Sequence, residues 1–290
     1  MTATSGELYF GYGSNLDADN WGAWCHNKGY DPASLEPIGR AWLPDYEPVF
    51  HYQSRLRKGG ALDVRPRFGT ATPGALFRVH DWAGLDAKEG VKGSFYRPIA
   101  VTALTADGRA HAATTYTVCD HRLHDFVPPG ADYRRYVVRG LCRFGHPTDQ
   151  FLDVADGKTP APLLQSFFAY GTLMTGQRSH HLVERHLDGD RRPAKVTGAS
   201  LVRIDWYPGL VLTSEGTVHG ELLDLRDTPR VLGELDPYED FAGYGVQDSL
   251  YRRSLVSALT SEGSKLAWTY VFTGRTDAHP SIASGRWTAP

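Results

Sequence analysis

Cysteine and methionine are scarce in this chain, three and two among 290 residues. Cys25, Cys119 and Cys142 are too few and too scattered for a disulfide framework or a structural zinc site. The neighbouring pair Cys25-His26, the pair His121 and His124, and the group His180, His181 and His186 lack an accompanying ligand set. No metal is expected. Gly-x-Gly-x-x-Gly, P-loop and Gly-x-Ser-x-Gly motifs are missing too, so nothing in the motifs calls for a cofactor. Neither charge sign dominates. Divided after Gly157, the halves carry 17 basic against 18 acidic residues and 14 against 15. Broad electrostatic binding to nucleic acid or to an anionic membrane is therefore not expected. No apolar run approaches a membrane span, and Met1–Gly6 lacks the basic and apolar regions of a signal peptide. A cytoplasmic protein is expected.

Hydrophobic residues make up 41% and aromatics 12% of the chain, enough to build packed cores. The length suits two domains of ordinary size, and a degenerate repeat supports that division. Leu8-Tyr9-Phe10-Gly11-Tyr12-Gly13-Ser14-Asn15-Leu16 is echoed by Phe167-Phe168-Ala169-Tyr170-Gly171-Thr172-Leu173-Met174, with Tyr12 and Tyr170 lying 158 residues apart. Gly74-Ala75-Leu76-Phe77 is echoed by Gly220-Glu221-Leu222-Leu223, and Leu85-Asp86-Ala87-Lys88-Glu89 by Leu235-Asp236-Pro237-Tyr238-Glu239. The run from Phe95 to Val101 matches that from Leu250 to Val256, and a β-type segment follows each. Features in the same order at similar spacing indicate two copies of one domain, 1–152 and 165–290. The charged, Pro-containing stretch 153–164 is expected as linker. β-type runs separated by Gly and Pro turns, with sparse helical pattern, predict an α+β class and a mixed or antiparallel sheet closed into a small barrel. Helices are expected at Asn20–Asn27, Asp81–Lys88, Asp132–Arg143, Gln177–Leu187 and Thr228–Asp236.

Two repeated features can carry chemistry. A strand ending in Tyr-Gly-(Ser/Thr) and passing into a helix leaves backbone N–H groups free to hold a carboxylate or a developing oxyanion. Glu89 and Glu239 each fall near the C-terminus of a short helix, Glu89 beside a helix-ending Gly90. The helix dipole there disfavours an anion, and a buried carboxylate in that place suits a general base. The cluster Arg55, Arg57 and Lys58 could bind an anion, although a solvated loop is the expected reading.

These residues resemble the γ-glutamylcyclotransferase family. The first copy is similar in Leu8–Leu16, in Leu85-Asp86-x-x-Glu89-Gly90-Val91-Lys92 with Tyr96, in Gly59-Gly60-Ala61, and in Pro128-Pro129 with Tyr133-Arg134-Arg135. The second resembles the γ-glutamylamine branch in Tyr170-Gly171-Thr172-Leu173, Tyr207-Pro208-Gly209-Leu210-Val211, Asp236-x-x-Glu239 and Tyr251-Arg252. The resemblance implies a small mixed barrel with flanking helices and a cofactor-free reaction. In it the α-amine of a γ-glutamyl group attacks its own γ-carbonyl, forming 5-oxoproline and releasing an amine or amino acid. Glu89 and Glu239 would be the catalytic bases. Tyr9, Phe10, Gly11, Tyr12, Gly13, Ser14, Asn15, Tyr96 and Tyr133 would bind substrate in the first copy, and Tyr170, Gly171, Thr172, Leu173 and Tyr251 in the second. The partner implied is a small γ-glutamyl compound, with removal of a γ-glutamyl protecting group in antibiotic biosynthesis as one setting. The alternative is that one or both copies bind such a ligand without turnover. Leu173 in place of Asn15 implies a different pocket floor, and the long stretch Asp240–Leu250 could cover or block the second site. The oligomeric state is open, with an intrachain pseudo-dimer as one arrangement.

Overall fold

The structure, a computed structural model, describes residues 7–160, 162–246 and 248–288. Met1–Gly6, Ala161 of the expected linker and Gln247 of the stretch after Glu239 lie outside the described residues. The chain forms two compact units, one of Met1–Ala103 with His111–Leu163 and one of Leu104–Ala110 with Leu164–Pro290. Among the described residues no helix is long and apolar enough to cross a membrane.

The first unit begins with strand β1 (Leu8–Gly11), a short helical turn (Ser14–Leu16) and helix α1 (Ala18–Lys28). Asp17 caps α1 by accepting from the Asn20 N–H, and Gly29 ends it at φ 76°. A long hairpin follows, β2 (Leu35–Ser54) and β3 (Gly59–Val79), then α2 (Ala83–Glu89), β4 (Tyr96–Leu104), β5 (Ala110–Val118), α3 (Ala131–Arg143) and α4 (Asp149–Ala155). Strand β2 is 20 residues long and carries register shifts at Pro37/Gly39, Pro44/Tyr46 and Val49/Tyr52. Prolines cannot donate to the ladder, and the resulting bulges bend the strand around a tight barrel. The order is β1-β3-β2-β4-β5, closed by the parallel pair β1–β5 at Tyr9↔Thr114. Phe10, Leu43, Leu76, Phe77 and Leu85 lie in its buried core.

The second unit contains β6 (Ser166–Ala169), α5 (His181–Glu184), β7 (Arg192–Arg203), β8 (Pro208–Asp224), α6 (Thr228–Tyr238), β9 (Tyr251–Thr260), β10 (Gly263–Phe272) and β11 (Ser281–Ile282). Its sheet runs β11-β7-β8-β6-β10-β9, and β9 pairs back onto β7 at Lys195↔Leu259. With β11 set aside, this is the strand order of the first unit. The parallel pair recurs as well, at Phe167↔Trp268. The class is α+β, with two barrels flanked by helices.

Three local expectations change. Helix α4 runs into the first residues of the expected linker because Phe151, Val154 and Ala155 bury their side chains. The helix expected over Gln177–Leu187 is a single turn, α5. Ser179 N–H bonds back to the Thr172 carbonyl and His180 Nδ1–H donates to the Leu173 carbonyl, so the preceding residues serve the Tyr-Gly loop. The stretch after Glu239 folds on itself, with Leu250 N–H on the Asp240 carbonyl and Tyr244 OH on the Arg253 carbonyl.

The repeated Gly of β3 and β8 has a steric cause. A Cβ on Gly74 would stand 2.3 Å from the Gly11 carbonyl oxygen, and one on Gly220 would stand 2.1 Å from that of Ala169. Gly74→Ala and Gly220→Ala should each destabilise the protein by about 1–3 kcal/mol, as overpacking does. Gly22 of α1 has open space around its Cβ position, so Gly22→Ala should stabilise by about 0.5–1 kcal/mol. Thermal or urea unfolding of the three variants checks both signs.

Candidate functional site

Each glutamate stands at the end of a helix pinned to its barrel. In α2, Leu85 is buried, Asp86 accepts a 2.7 Å hydrogen bond from Tyr116 OH on β5, and Glu89 is the last helical residue before Gly90 at φ 66°. In α6, Leu235 is buried, Asp236 accepts a 2.6 Å bond from Tyr270 OH on β10, and Glu239 follows the last turn, with Asp240 at φ 52° behind it. Three more hydrogen bonds recur. Tyr12 OH donates to the Tyr116 carbonyl at 2.6 Å, and Tyr170 OH to that of Tyr270 at 2.8 Å. Thr115 Oγ1 donates to the Phe10 carbonyl at 2.8 Å, and Thr269 Oγ1 to that of Phe168 at 3.0 Å. Tyr96 OH donates to the Leu62 carbonyl at 3.0 Å, and Tyr251 OH to that of Pro208 at 2.8 Å. The repeated tyrosines thus hold strands together with their hydroxyls and turn their rings to the site. Gly13 and Gly171 also have packing reasons, because a Cβ would meet Tyr133 OH at 3.3 Å and Pro208 Cγ at 2.7 Å.

A cavity of about 690 Å³ in the first unit brings together Tyr9, Tyr12, Gly13, Ser14, Asn15, Glu89, Tyr96 and Tyr133. Asn15 Nδ2 donates to Glu89 Oε1 at 2.8 Å and to Tyr9 OH at 3.1 Å. Tyr133 OH accepts from the Leu62 N–H at 3.0 Å. Phe10 and Gly11, expected with them, do not line the cavity. Alternation along β1 turns Phe10 to the far side, where it is fully buried, and Gly11 has no side chain and lies against Phe77 and Tyr9.

The second unit holds a cavity of about 220 Å³, lined by Tyr170, Gly171, Thr172, Leu173, Glu239 and Tyr251 as expected. Of the described residues in the stretch after Glu239, only Leu250 reaches it. Trp206, Tyr207 and Tyr238, which sequence reasoning did not single out as site residues, complete the wall. Tyr238 OH is 2.6 Å from Ser179 Oγ. Among the residues missed in the first cavity are Trp24, Lys28, Lys88 and Arg122, while Arg55 and Arg57, in the loop between β2 and β3, also line it. Arg57 donates to Ser14 Oγ at 2.9 Å and lies over the Tyr133 ring. The signal for Lys88 was its place directly before Glu89, matched by Tyr238 before Glu239.

The two carboxyls sit in different fields. Burial pushes the Glu89 carboxyl above its ordinary range, while the Lys88 ammonium, the Asn15 amide and Arg57 pull it back. Burial alone acts on Glu239 and raises it to about 8. Leu173 stands where an amide would donate, and among the described residues Glu239 accepts no hydrogen bond. Burial presses the Lys88 ammonium down to about 7. No group of His, Cys, Asp and Glu able to hold a metal is found among the described residues.

Residues 167–289 match the family model described as gamma-glutamyl cyclotransferase, AIG2-like. A gamma-glutamylcyclotransferase of Bos taurus is 27% identical over 148 residues, covering 49% of this chain and 73% of that protein. Among solved structures, a gamma-glutamyl cyclotransferase aligns with a TM-score of 0.46 at 23% identity, over 54% of this chain and 90% of the other. YkqA from Bacillus subtilis aligns over 93% of this chain and 85% of its own, with a TM-score of 0.36 and 17% identity.

A base must be ionised to work, so turnover resting on Glu239 should rise with pH through a midpoint near 8, the value burial gives that carboxyl. Turnover resting on Glu89 should reach its plateau at lower pH. Rate profiles of Glu89→Gln and Glu239→Gln, each leaving one carboxylate, read the two midpoints. The anchors differ as well. Asp236 also pairs with Arg253 at 2.7 Å, whose side chain is 0% exposed, whereas Asp86 bonds Tyr116. Asp236→Asn should therefore cost about 3–5 kcal/mol by taking the carboxylate charge out of a buried ion pair. Asp86→Asn should cost about 1–3 kcal/mol, and calorimetric unfolding gives the order.

Proposed function

We propose, from the match of residues 167–289 to the gamma-glutamyl cyclotransferase, AIG2-like family model, that the chain cleaves γ-glutamyl amides by cyclisation and that both copies work. The substrate's α-ammonium gives a proton to Glu89 or Glu239. The freed amine attacks the γ-carbonyl carbon of the same residue and closes a five-membered lactam. The protonated glutamic acid then passes its proton to the departing nitrogen, and the C–N bond breaks. The ring nitrogen, still carrying two protons, returns one through the same carboxylate to the released amine, so 5-oxoproline and an ammonium leave. No water is consumed and no cofactor enters the balance.

The observation that carries this reading is the same in both copies: a carboxyl at a helix end, raised by burial, facing a Tyr-Gly turn across a cavity. A raised carboxyl is a stronger base than an ordinary one once ionised, and so better matched to an ammonium. Folding the γ-glutamyl chain against the turn brings amine and carbonyl into attack distance, which accounts for much of the rate. Ser14 and Thr172, with the backbone of Tyr12–Asn15 and Tyr170–Leu173, hold the glutamyl part, and the lining tyrosines exclude water.

Mass spectrometry of 5-oxoproline released from γ-glutamyl amines and amino acids tests this. Glu89→Gln and Glu239→Gln should each lower release by at least about 100-fold at their own site, the usual worth of a general base. The double variant should be inactive yet folded. Loss in one variant alone would leave the other copy as a ligand-binding module, and release by the double variant at the wild-type rate would refute the mechanism.

A further inference from the structure

Five cationic side chains, Lys28, Arg55, Arg57, Lys88 and Arg122, line the first cavity, where Glu89 is the one acidic residue. Among the described residues none of the five forms an ion pair with a carboxylate. Arg57 donates to Ser14 and Asn20, and Arg122 to the carbonyls of Gly93 and Ser94. The Lys88 ammonium is buried with no hydrogen-bond acceptor, resting 5.1 Å from the Trp21 ring centre and 5.7 Å from that of Trp24. Trp24 in turn stacks on Tyr30 at 5.3 Å, which fixes the platform. The second cavity has a third of the volume, and its lining carries no cation, with Glu239 its one ionisable carboxyl. At the position before the glutamate it has Tyr238 in place of Lys88.

Every γ-glutamyl substrate brings the same α-carboxylate to both sites. The second cavity meets it without a cationic side chain, so that group does not account for five cations in the first. The difference must answer to the part of the substrate that varies, the amine that leaves. We propose that the two cavities sort γ-glutamyl substrates by the charge of the released amine. The first takes conjugates whose amine portion carries about two or more negative charges, and the second takes amine portions with no anionic group. Arg57 and Lys88 hold the anion nearest the scissile bond, and Lys28, Arg55 and Arg122 meet those further out. The larger volume is the room such a group needs. An anion beside Lys88 also supplies the partner its ammonium lacks and restores its charge against burial.

This division rests on the cyclotransferase reading, and the experiment keeps the two separate. In the full chain, Glu239→Gln leaves turnover to the first site and Glu89→Gln to the second. The probes are γ-glutamylglutamate, which releases a dicarboxylate, γ-glutamyl-O-phosphoethanolamine, which releases a phosphate, and γ-glutamylpropylamide, which releases a neutral amine. In Glu239→Gln, kcat/KM for 5-oxoproline formation should favour at least one anionic probe over the propylamide by about tenfold or more, and added salt should shrink the ratio. Glu89→Gln should reverse the order. Adding Lys28→Gln and Arg55→Gln, both exposed at the rim, should bring the first-site ratio down by about tenfold, and Lys88→Met should act in the same direction. Equal preference in Glu239→Gln, or a preference untouched by removing rim cations, overturns the proposal. Calorimetry on Glu89→Gln, Glu239→Gln reads binding without turnover. One equivalent of an anionic probe per chain, weakened by the rim substitutions, upholds charge sorting even if 5-oxoproline never forms, in which case the cyclotransferase reading fails alone. Absence of both binding and turnover refutes both.

Discussion

A single hydrogen bond, from a strand tyrosine to an aspartate three residues before a glutamate, sets the geometry of each half of this protein. Tyr116 holds Asp86 and Tyr270 holds Asp236. A helix of seven or eleven residues is too short to be stable alone. Tied to the barrel through its last turn, it becomes a rigid mount for the residue at its end. The bond is made inside the protein, where a charge-assisted hydrogen bond is strongest and its loss most costly. The glutamate is in this way set half-buried at a barrel mouth, at the helix end least hospitable to an anion. Its basicity follows from where the aspartate pins it.

On a shared strand order the two cavities differ beside the carboxylate itself. Asn15 against Leu173 decides whether the carboxylate has an amide donor, and Lys88 against Tyr238 decides whether it has a cation beside it. These substitutions leave the ladder of tyrosine hydroxyls intact, since those bonds end on backbone carbonyls. The barrel therefore tolerates changes in cavity charge, and electrostatics can vary while the reaction geometry is kept.

The frame was legible in the sequence because its determinants repeat. Gly74 and Gly220 admit a neighbouring carbonyl, the Leu-Asp-x-x-Glu segments end helices at the right place, and β-type runs alternate with turns. Helix α6 was found nearly to its ends because Asp227 caps it and its apolar residues keep helical spacing. What stayed hidden depended on the partner across space. Periodicity along β1 alone could not tell that Tyr9 faces the cavity and Phe10 the core. Arg55 and Arg57 read as a solvated loop because the cavity they line forms only when β2 and β3 curl. Trp206 and Tyr238 carry no motif, and Gln177–Leu187 has helical composition that the hydrogen bonds of the Tyr-Gly loop override.

The parallel pair that closes each barrel has a consequence for how the chain reaches this state. It joins the first strand of each unit to the last strand of its five-stranded barrel, Tyr9 to Thr114 and Phe167 to Trp268. Every intervening loop must be ordered before that contact forms, so the closing step has a high entropic cost and belongs late in folding. The tyrosine that anchors the glutamate's helix lies on that same last strand. During synthesis the hairpins can form as they emerge, but each cavity acquires its carboxylate only when its final strand docks. A half-made copy therefore has a sheet and a helix but no fixed glutamate, and its cavity is completed only when the closing strand docks.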